Sequence, residues 1–295
     1  MIIRLRGLAP TGHADHMGWH TTTSAEVFLD LAGAFLRARP VENTLPLNIA
    51  GTLREHGPHH FGATDPLFGW YATDGGRVDG AFLQTPPFPL LVTAVPEGAM
   101  AELAALLSGR PLSGVNALTA DAEAFRVAWC DRTGARARVR QQHRLFRLAE
   151  LTPLEPPPGA ARVAGPGDRA LLIDWMAAFL HDVGEPPRAV EPLVDDRIGY
   201  GGMTLWEVAG TPVSMAGVSP PHAGIVRVVS VYTPPDHRGR GYGGAVTATV
   251  TRAALDAGAD DVVLFTDLAN PTSNALYQRL GYRPVEDRSL VEFTS

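Results

Sequence analysis

The sequence predicts an α/β fold with a mixed sheet, laid out in two domains. The chain of 295 residues is long enough for two domains of ordinary size. Strand and helix signals alternate along it, broken near the middle by a stretch rich in proline and glycine. In the second half an apolar strand runs into a basic, glycine-rich turn and then a helix, an order that places a parallel strand next in the sheet.

In chain order, residues 1–22 are expected to form a flexible start. Helical periodicity runs from Ser24 to Arg37 and from Asn43 to Arg54. Strands are expected at Leu67 to Ala72, Gly80 to Gln84 and Leu90 to Ala94, helices at Gly98 to Leu107 and Asp121 to Asp131, and a strand near Gln142 to Leu148. These make a first domain over residues 23–150. Pro153, Pro156, Pro157, Pro158 and Gly159 mark a linker over 151–160, and a second domain occupies 161–295.

In that second domain, Met203 to Val208 and Pro212 to Val218 read as a hairpin around Ala209-Gly210-Thr211. Gly224 to Tyr232 is dense in β-branched residues, apolar apart from Arg227 and Ser230, and stopped by Thr233-Pro234-Pro235. A helix follows from Gly244 to Ala257, with Gly258 as its stop, and Asp261 to Asp267 reads as a short buried strand. Asn270 is placed as N-cap, Pro271 as the first residue of a further helix and Gly281 as its end. A strand pair, near Arg283 to Glu286 and Leu290 to Phe293, closes the chain.

The turn after Tyr232 carries the chemistry. Small residues let the backbone approach a phosphate, and the first N–H groups of the following helix point at it. A P-loop is excluded because the chain contains no lysine. Gly239-x-Gly241-x-x-Gly244 matches the letters of a dinucleotide fingerprint, but little chain follows it and no acidic residue on a second strand sits about 20 residues on. Read as Arg238-x-x-Gly241-x-Gly243, the same letters resemble the acetyl-CoA turn of the GCN5-related N-acetyltransferase superfamily. Asn270, Tyr277, Gly281 and Tyr282 resemble its second motif, a short helix of the form N-x-x-x-x-x-x-Y-x-x-x-G-[FY].

That resemblance implies tandem N-acyltransferase folds, the first half a degenerate copy: nothing between Pro87 and Ala101 has the basic glycine turn, and Glu97 stands where a diphosphate would be repelled. It implies an acetyl-CoA-dependent N-acetyltransferase that acetylates a primary amine by direct attack. By the same resemblance the strand before the turn splays from the next parallel strand to admit pantetheine. Val231, Tyr232 and Thr233 would face the cofactor, Arg238, Gly239, Arg240, Gly241, Tyr242 and Gly243 would hold its diphosphate, and Asn270 and Asn274 would reach it from the second helix. Tyr277 is the candidate general acid, since a phenol stays protonated at neutral pH and can hand its proton to a thiolate. No base is identified: Glu207 is a candidate carboxylate, Asp182 and Glu185 are candidates for recognising a cationic substrate, and a water chain is an alternative. A non-catalytic acyl-CoA-binding or sensor protein is the other reading of the same motifs.

Composition narrows the partners. A formal net charge of −6 with no offsetting basic patch argues against nucleic acid. One cysteine, Cys130, excludes an internal disulfide and suits a reducing compartment, the cytoplasm. No apolar run is long enough to span a membrane. His13, His16 and His20, like His56, His59 and His60, lack a carboxylate or cysteine at ligand spacing, so no metal is expected. Beyond acetyl-CoA and an unidentified amine acceptor, the reading leaves room for a homodimer.

Overall fold

The computed structural model describes residues 17–152, 154–185 and 187–294. The chain divides into two compact units, each assembled from separate stretches: among the described residues, 17–38, 49–140 and 289–294 form the first, and 39–48 with those of 141–288 form the second.

The first unit contains β1 (Gly18–Thr22), α1 (Ala25–Ala38), most of α2 (Thr44–His56), β2 (Leu67–Ala72), β3 (Val78–Gln84), β4 (Leu90–Val92), α3 (Ala99–Leu107), β5 (Gly114–Leu118), α4 (Thr119–Thr133) and the start of β6 (Arg136–Leu148). Phe28, Ala32 and Leu36, four residues apart, form the buried stripe of α1. Strands β1 to β4 pair antiparallel in sequence order, and β5 joins β4 in parallel after the α3 crossover. Phe82, Leu90, Leu103, Val115, Phe125 and Trp129 fill the core between sheet and helices.

The second unit repeats this plan. It contains β7 (Ala160–Val163), α5 (Arg169–Asp182), α6 (Glu191–Gly199), β8 (Met203–Val208), β9 (Thr211–Val218), β10 (Ile225–Tyr232), α7 (Tyr242–Asp256), β11 (Asp261–Asp267), α8 (Pro271–Arg279) and the first half of β12 (Tyr282–Thr294). Strands β7 to β10 pair antiparallel in order, β11 joins β10 in parallel, and the second half of β6 pairs antiparallel on the far side of β11. One face of this sheet carries α7 and α8, with Val226, Val228, Val246, Tyr277 and Tyr282 in the intervening core. The other face carries α5 and α6 over Met203, Leu205 and Met215.

The structure corrects three sequence expectations. Residues 18–22 are not a flexible start but strand β1, whose Trp19 donates from Nε1 to the Ala99 carbonyl at 2.8 Å. The closing strand pair is one continuous 13-residue strand, β12. The unit boundaries do not fall at 150 and 161: residues 141–148 of β6 belong to the second unit and the end of β12 to the first. The physical reason is register. Arg147 to His143 pair with Val263 to Asp267 of β11, while Phe293 donates to the Ser113 carbonyl at the start of β5.

Candidate active site in the second unit

The site begins where a sheet comes apart. Strands β10 and β11 pair from Ile225↔Asp261 to Val228↔Leu264, then part, although β10 continues to Tyr232 and β11 to Asp267. Past that point β11 stays paired with β6, while β10 rejoins β9 only at Tyr232↔Met215 after a bulge following Val229. Within the bulge Ser230 has φ of 51°, a left-handed conformation that costs a residue with a side chain of the order of 1–3 kcal/mol. The Arg197 guanidinium of α6 holds it by donating to Ser230 Oγ at 2.8 Å.

Beyond the bulge, Ser214 fixes the end of β10. Its fully buried hydroxyl donates to the Tyr232 carbonyl at 3.0 Å and lies 2.8 Å from Thr233 Oγ1. A single 3₁₀ turn, Pro235–His237, leads into the glycine turn, where Gly239 and Gly241 have φ of 74° and 85°. Gly241 is the N-cap of α7, and no side chain caps that end. The first intrahelical bond runs from Ala245 N–H to the Gly241 carbonyl, so the preceding amides open toward the turn. Gly243 lies against Thr233: a Cβ there would meet Thr233 Oγ1 at 3.3 Å.

Arg238 is exposed and already engaged. Its Nε donates to the Thr233 carbonyl at 2.9 Å, Nη2 donates to Asp182 at 2.6 Å, and the guanidinium lies 5.9 Å from the centre of the Tyr232 ring. This corrects the expectation that Asp182 faces a cationic substrate; it ties α5 to the turn. Glu207 is likewise taken, in an ion pair with Arg162 at 2.7 Å. Arg240 is exposed on the turn.

Helix α8 brings the second motif to the same sheet. Asn270 caps it, accepting from Ser273 N–H at 3.0 Å. Asn274 donates to the Asp267 carbonyl at 2.9 Å and the Asn270 carbonyl at 2.7 Å, while its Oδ1 is buried with no partner. It therefore pins the end of β11 to α8 and keeps one acceptor uncommitted. The Tyr277 ring is packed between Phe146 and Tyr282, and burial pushes its phenol up to about 12.

A cavity of about 220 Å³ opens beside Gly241, between α7, α8 and the proline-rich segment, lined by Leu154, Pro156, Trp206, Leu276 and Arg279. A larger one, about 780 Å³, lies at the other end of β11, against Asp260 and Asp261, where the strands are still paired.

Glu286, on β12, was not singled out in the sequence. Asp287 pairs with Arg144 at 2.7 Å, and Glu286 beside it is half-buried. Burial raises its carboxyl above the ordinary value, against the opposing pull of Arg288 at 3.0 Å. Among the described residues, no group of three or more His, Cys, Asp or Glu is arranged to hold a metal ion, and no helix is long and apolar enough to cross a membrane. His13 and His16 lie outside the described residues, and His20 stacks on Trp70 at 5.6 Å.

A parallel strand pair that opens ahead of a glycine turn and an uncapped helix is a frame that can take an extended ligand with a phosphate at one end. Residues 170–282 match the model of the acetyltransferase (GNAT) family. No curated protein sequence matches the chain. Among solved structures it is similar to a GCN5-related N-acetyltransferase from Sphaerobacter thermophilus, at 17% identity and a TM-score of 0.60 over 92% of this chain and 94% of that one. It is also similar to a GNAT-family acetyltransferase from Colwellia psychrerythraea, at 16% identity and a TM-score of 0.58 over 93% and 98%. A tandem GNAT protein from the clavulanic acid biosynthesis pathway aligns at 14% identity and a TM-score of 0.55 over 95% and 98%. These likenesses span both halves of the chain, so the fold is that of tandem GNAT domains.

Proposed function

We propose that the second unit transfers an acetyl group from acetyl-CoA to a primary amine by direct attack. The observation that carries this reading is the parting of β10 and β11 beyond Val228 and Leu264, directly before the Gly239–Gly243 turn. The residues fit the co-substrate: the freed edge of β10 around Val231 and Thr233 can pair with the amides of the pantetheine arm, and the uncapped start of α7 can take the diphosphate. Arg238 and Arg240 add positive charge at that turn, and the cavity beside Gly241 leaves room for the arm to continue past Arg279.

In this reading a backbone N–H near Val231 stabilises the oxyanion that forms when the amine attacks the thioester carbonyl. Glu286, on a strand separated from β11 by β6, takes through intervening water the proton released as the new C–N bond forms; a carboxyl whose affinity for protons is raised by burial is suited to that task. Tyr277 donates its proton to the thiolate as the C–S bond breaks. Asn274, through its tether to Asp267, holds α8 and Tyr277 against β11.

The first unit serves packing or acceptor selection without a cofactor of its own. Where β4 meets α3, the turn Val95-Pro96-Glu97-Gly98 has no arginine, and the Ala99 N–H is already bonded to the Pro96 carbonyl. Thiol release from acetyl-CoA, followed across amines, amino acids, polyamines and peptides, tests the proposal. Amine-dependent release is expected; tight acetyl-CoA binding with no amine raising turnover would leave only a binding protein.

A further inference from the structure

The α5/α6 face of the open sheet carries an unusual charge. Arg227, on β10, precedes Val228, the last residue paired with β11. Val226 and Val228 face α7 and α8, so alternation turns Arg227 to the opposite face. There its Nη1 is shielded from solvent and has no hydrogen-bond partner. Among the described residues, no carboxylate forms an ion pair with it.

The charge beside it has the same sign. Arg197, from α6, points into this face, donates to Ser230 Oγ in the bulge and sits against the Tyr200 hydroxyl, which itself donates to the Val218 carbonyl at 2.8 Å. Asp196 and Arg188 are the other charged groups that act on Arg197, with opposite effects. Burial, then the Arg197 charge, brings Arg227 down to about 10, still fully protonated at neutral pH. A guanidinium with one nitrogen buried and unbonded, beside a second positive charge, is costly unless something anionic joins it. Guanidinium groups recognise carboxylate and phosphate through paired N–H donors.

We propose that Arg227 and Arg197 are the anion-binding floor of the acceptor site, so that the amine acetylated here carries a carboxylate or phosphate of its own. The inference rests on the acetyl-transfer reading. The glycine turn and α7 lie on one side of the sheet, so an acyl group led through the gap emerges on the side that Arg227 and Arg197 occupy. An acceptor whose anionic end lies on Arg227 presents its amine at the opening beside Ser230.

Matched acceptors test this: an α-amino acid against its amide, and phosphoethanolamine against ethanolamine. At least tenfold higher kcat/KM is expected for the anionic member of one pair, and which pair responds tells carboxylate from phosphate. Arg227→Met is expected to erase that preference and, by removing an uncompensated charge, to raise Tm by about 2–4 °C. Affinity for acetyl-CoA, measured by calorimetry, reports that the variant is folded; Arg227→Gln serves if Arg227→Met is not. Equal or better use of the neutral members by the wild-type protein overturns the inference and leaves acetyl transfer standing. So does a preference that survives in both variants, or a lower Tm in a folded Arg227→Met. Absence of acetyl-CoA binding by the wild-type protein overturns both readings together.

Discussion

Val228 and Leu264 are the last residues through which β10 and β11 meet. Beyond them the two strands run on for several residues, each held only from its outer side. Backbone N–H and C=O groups freed in this way need partners, and a ligand with amides along its length supplies them without disturbing the sheet. The bulge at Ser230 and its bond from Arg197 shape β10 along this opening.

Gly241 is where this opening meets the phosphate turn. Its φ of 85° lies in the left-handed region, and a Cβ there would find only ordinary contact, 3.8 Å from Pro157. Gly241→Val therefore acts through conformation and not through a clash, at about 1–2 kcal/mol of backbone strain. Because that strain moves the first amides of α7, at least a tenfold loss of acetyl-CoA affinity is expected by isothermal titration calorimetry, with the fold intact by circular dichroism. Unchanged affinity would remove the turn from the binding site.

Much of this frame is legible in the sequence. Strands β8 and β11 and the start of α8 carry strong local signals: β-branched runs with clear stops, and an Asn-Pro pair at a helix start. What escapes reading is set by tertiary pairing. Gly114-Val-Asn-Ala-Leu is too short and mixed to announce β5, which exists because β4 offers a parallel edge. Helix α6 follows a proline-rich approach with weak amphipathic pattern, so Arg197 was not visible as a neighbour of Ser230, 33 residues away. Glu286 was hidden because its burial depends on β12 running on as a single strand.

Arg238 and Asp182 separate support from binding. Their ion pair is 2.6 Å long, but the side chains are 51% and 42% exposed, so its contribution to stability is about 0–1 kcal/mol. Asp182→Asn is expected to move Tm by no more than about 2–4 °C. Arg238→Ala also removes the bond to the Thr233 carbonyl and one positive charge at the turn. It is expected to weaken acetyl-CoA at least tenfold in the same calorimetric assay. Equal effects of the two changes would make Arg238 a support for α5 alone.

Glu286 must be ionised to act as a base. Its carboxyl is raised by burial, so kcat/KM is expected to climb with pH through a value above the ordinary carboxylate range, and Glu286→Gln to flatten that limb. Stability runs the other way. A raised carboxyl pKa means the folded state holds its proton longer than the unfolded one, so the benefit is present at low pH and is lost as pH rises through the folded value. The gap in Tm between Glu286→Gln and wild type should therefore widen in favour of the variant from pH 4 to pH 8. A pH profile of kcat/KM left unaltered by the substitution would exclude Glu286 as base.

Tyr277 is the complement, a group that must keep its proton. Burial lifts its phenol to about 12, so at pH 7 to 9 it remains a donor, and no fall in rate from its ionisation is expected there. Tyr277→Phe keeps the ring between Phe146 and Tyr282 and removes the acid, so kcat should fall roughly 10²- to 10⁴-fold with acetyl-CoA affinity little changed. The same shift has a signature in stability. The unfolded chain begins to ionise this phenol near pH 10, while the folded protein holds the proton until about 12, so stability is full below 10 and is lost between the two values. Two pKa units correspond to about 2–3 kcal/mol. Denaturant melts from pH 9 to pH 12 should show that loss in the wild-type protein and a smaller one in Tyr277→Phe. A variant that keeps its kcat while losing the alkaline dependence would show a buried aromatic whose proton plays no part in the transfer.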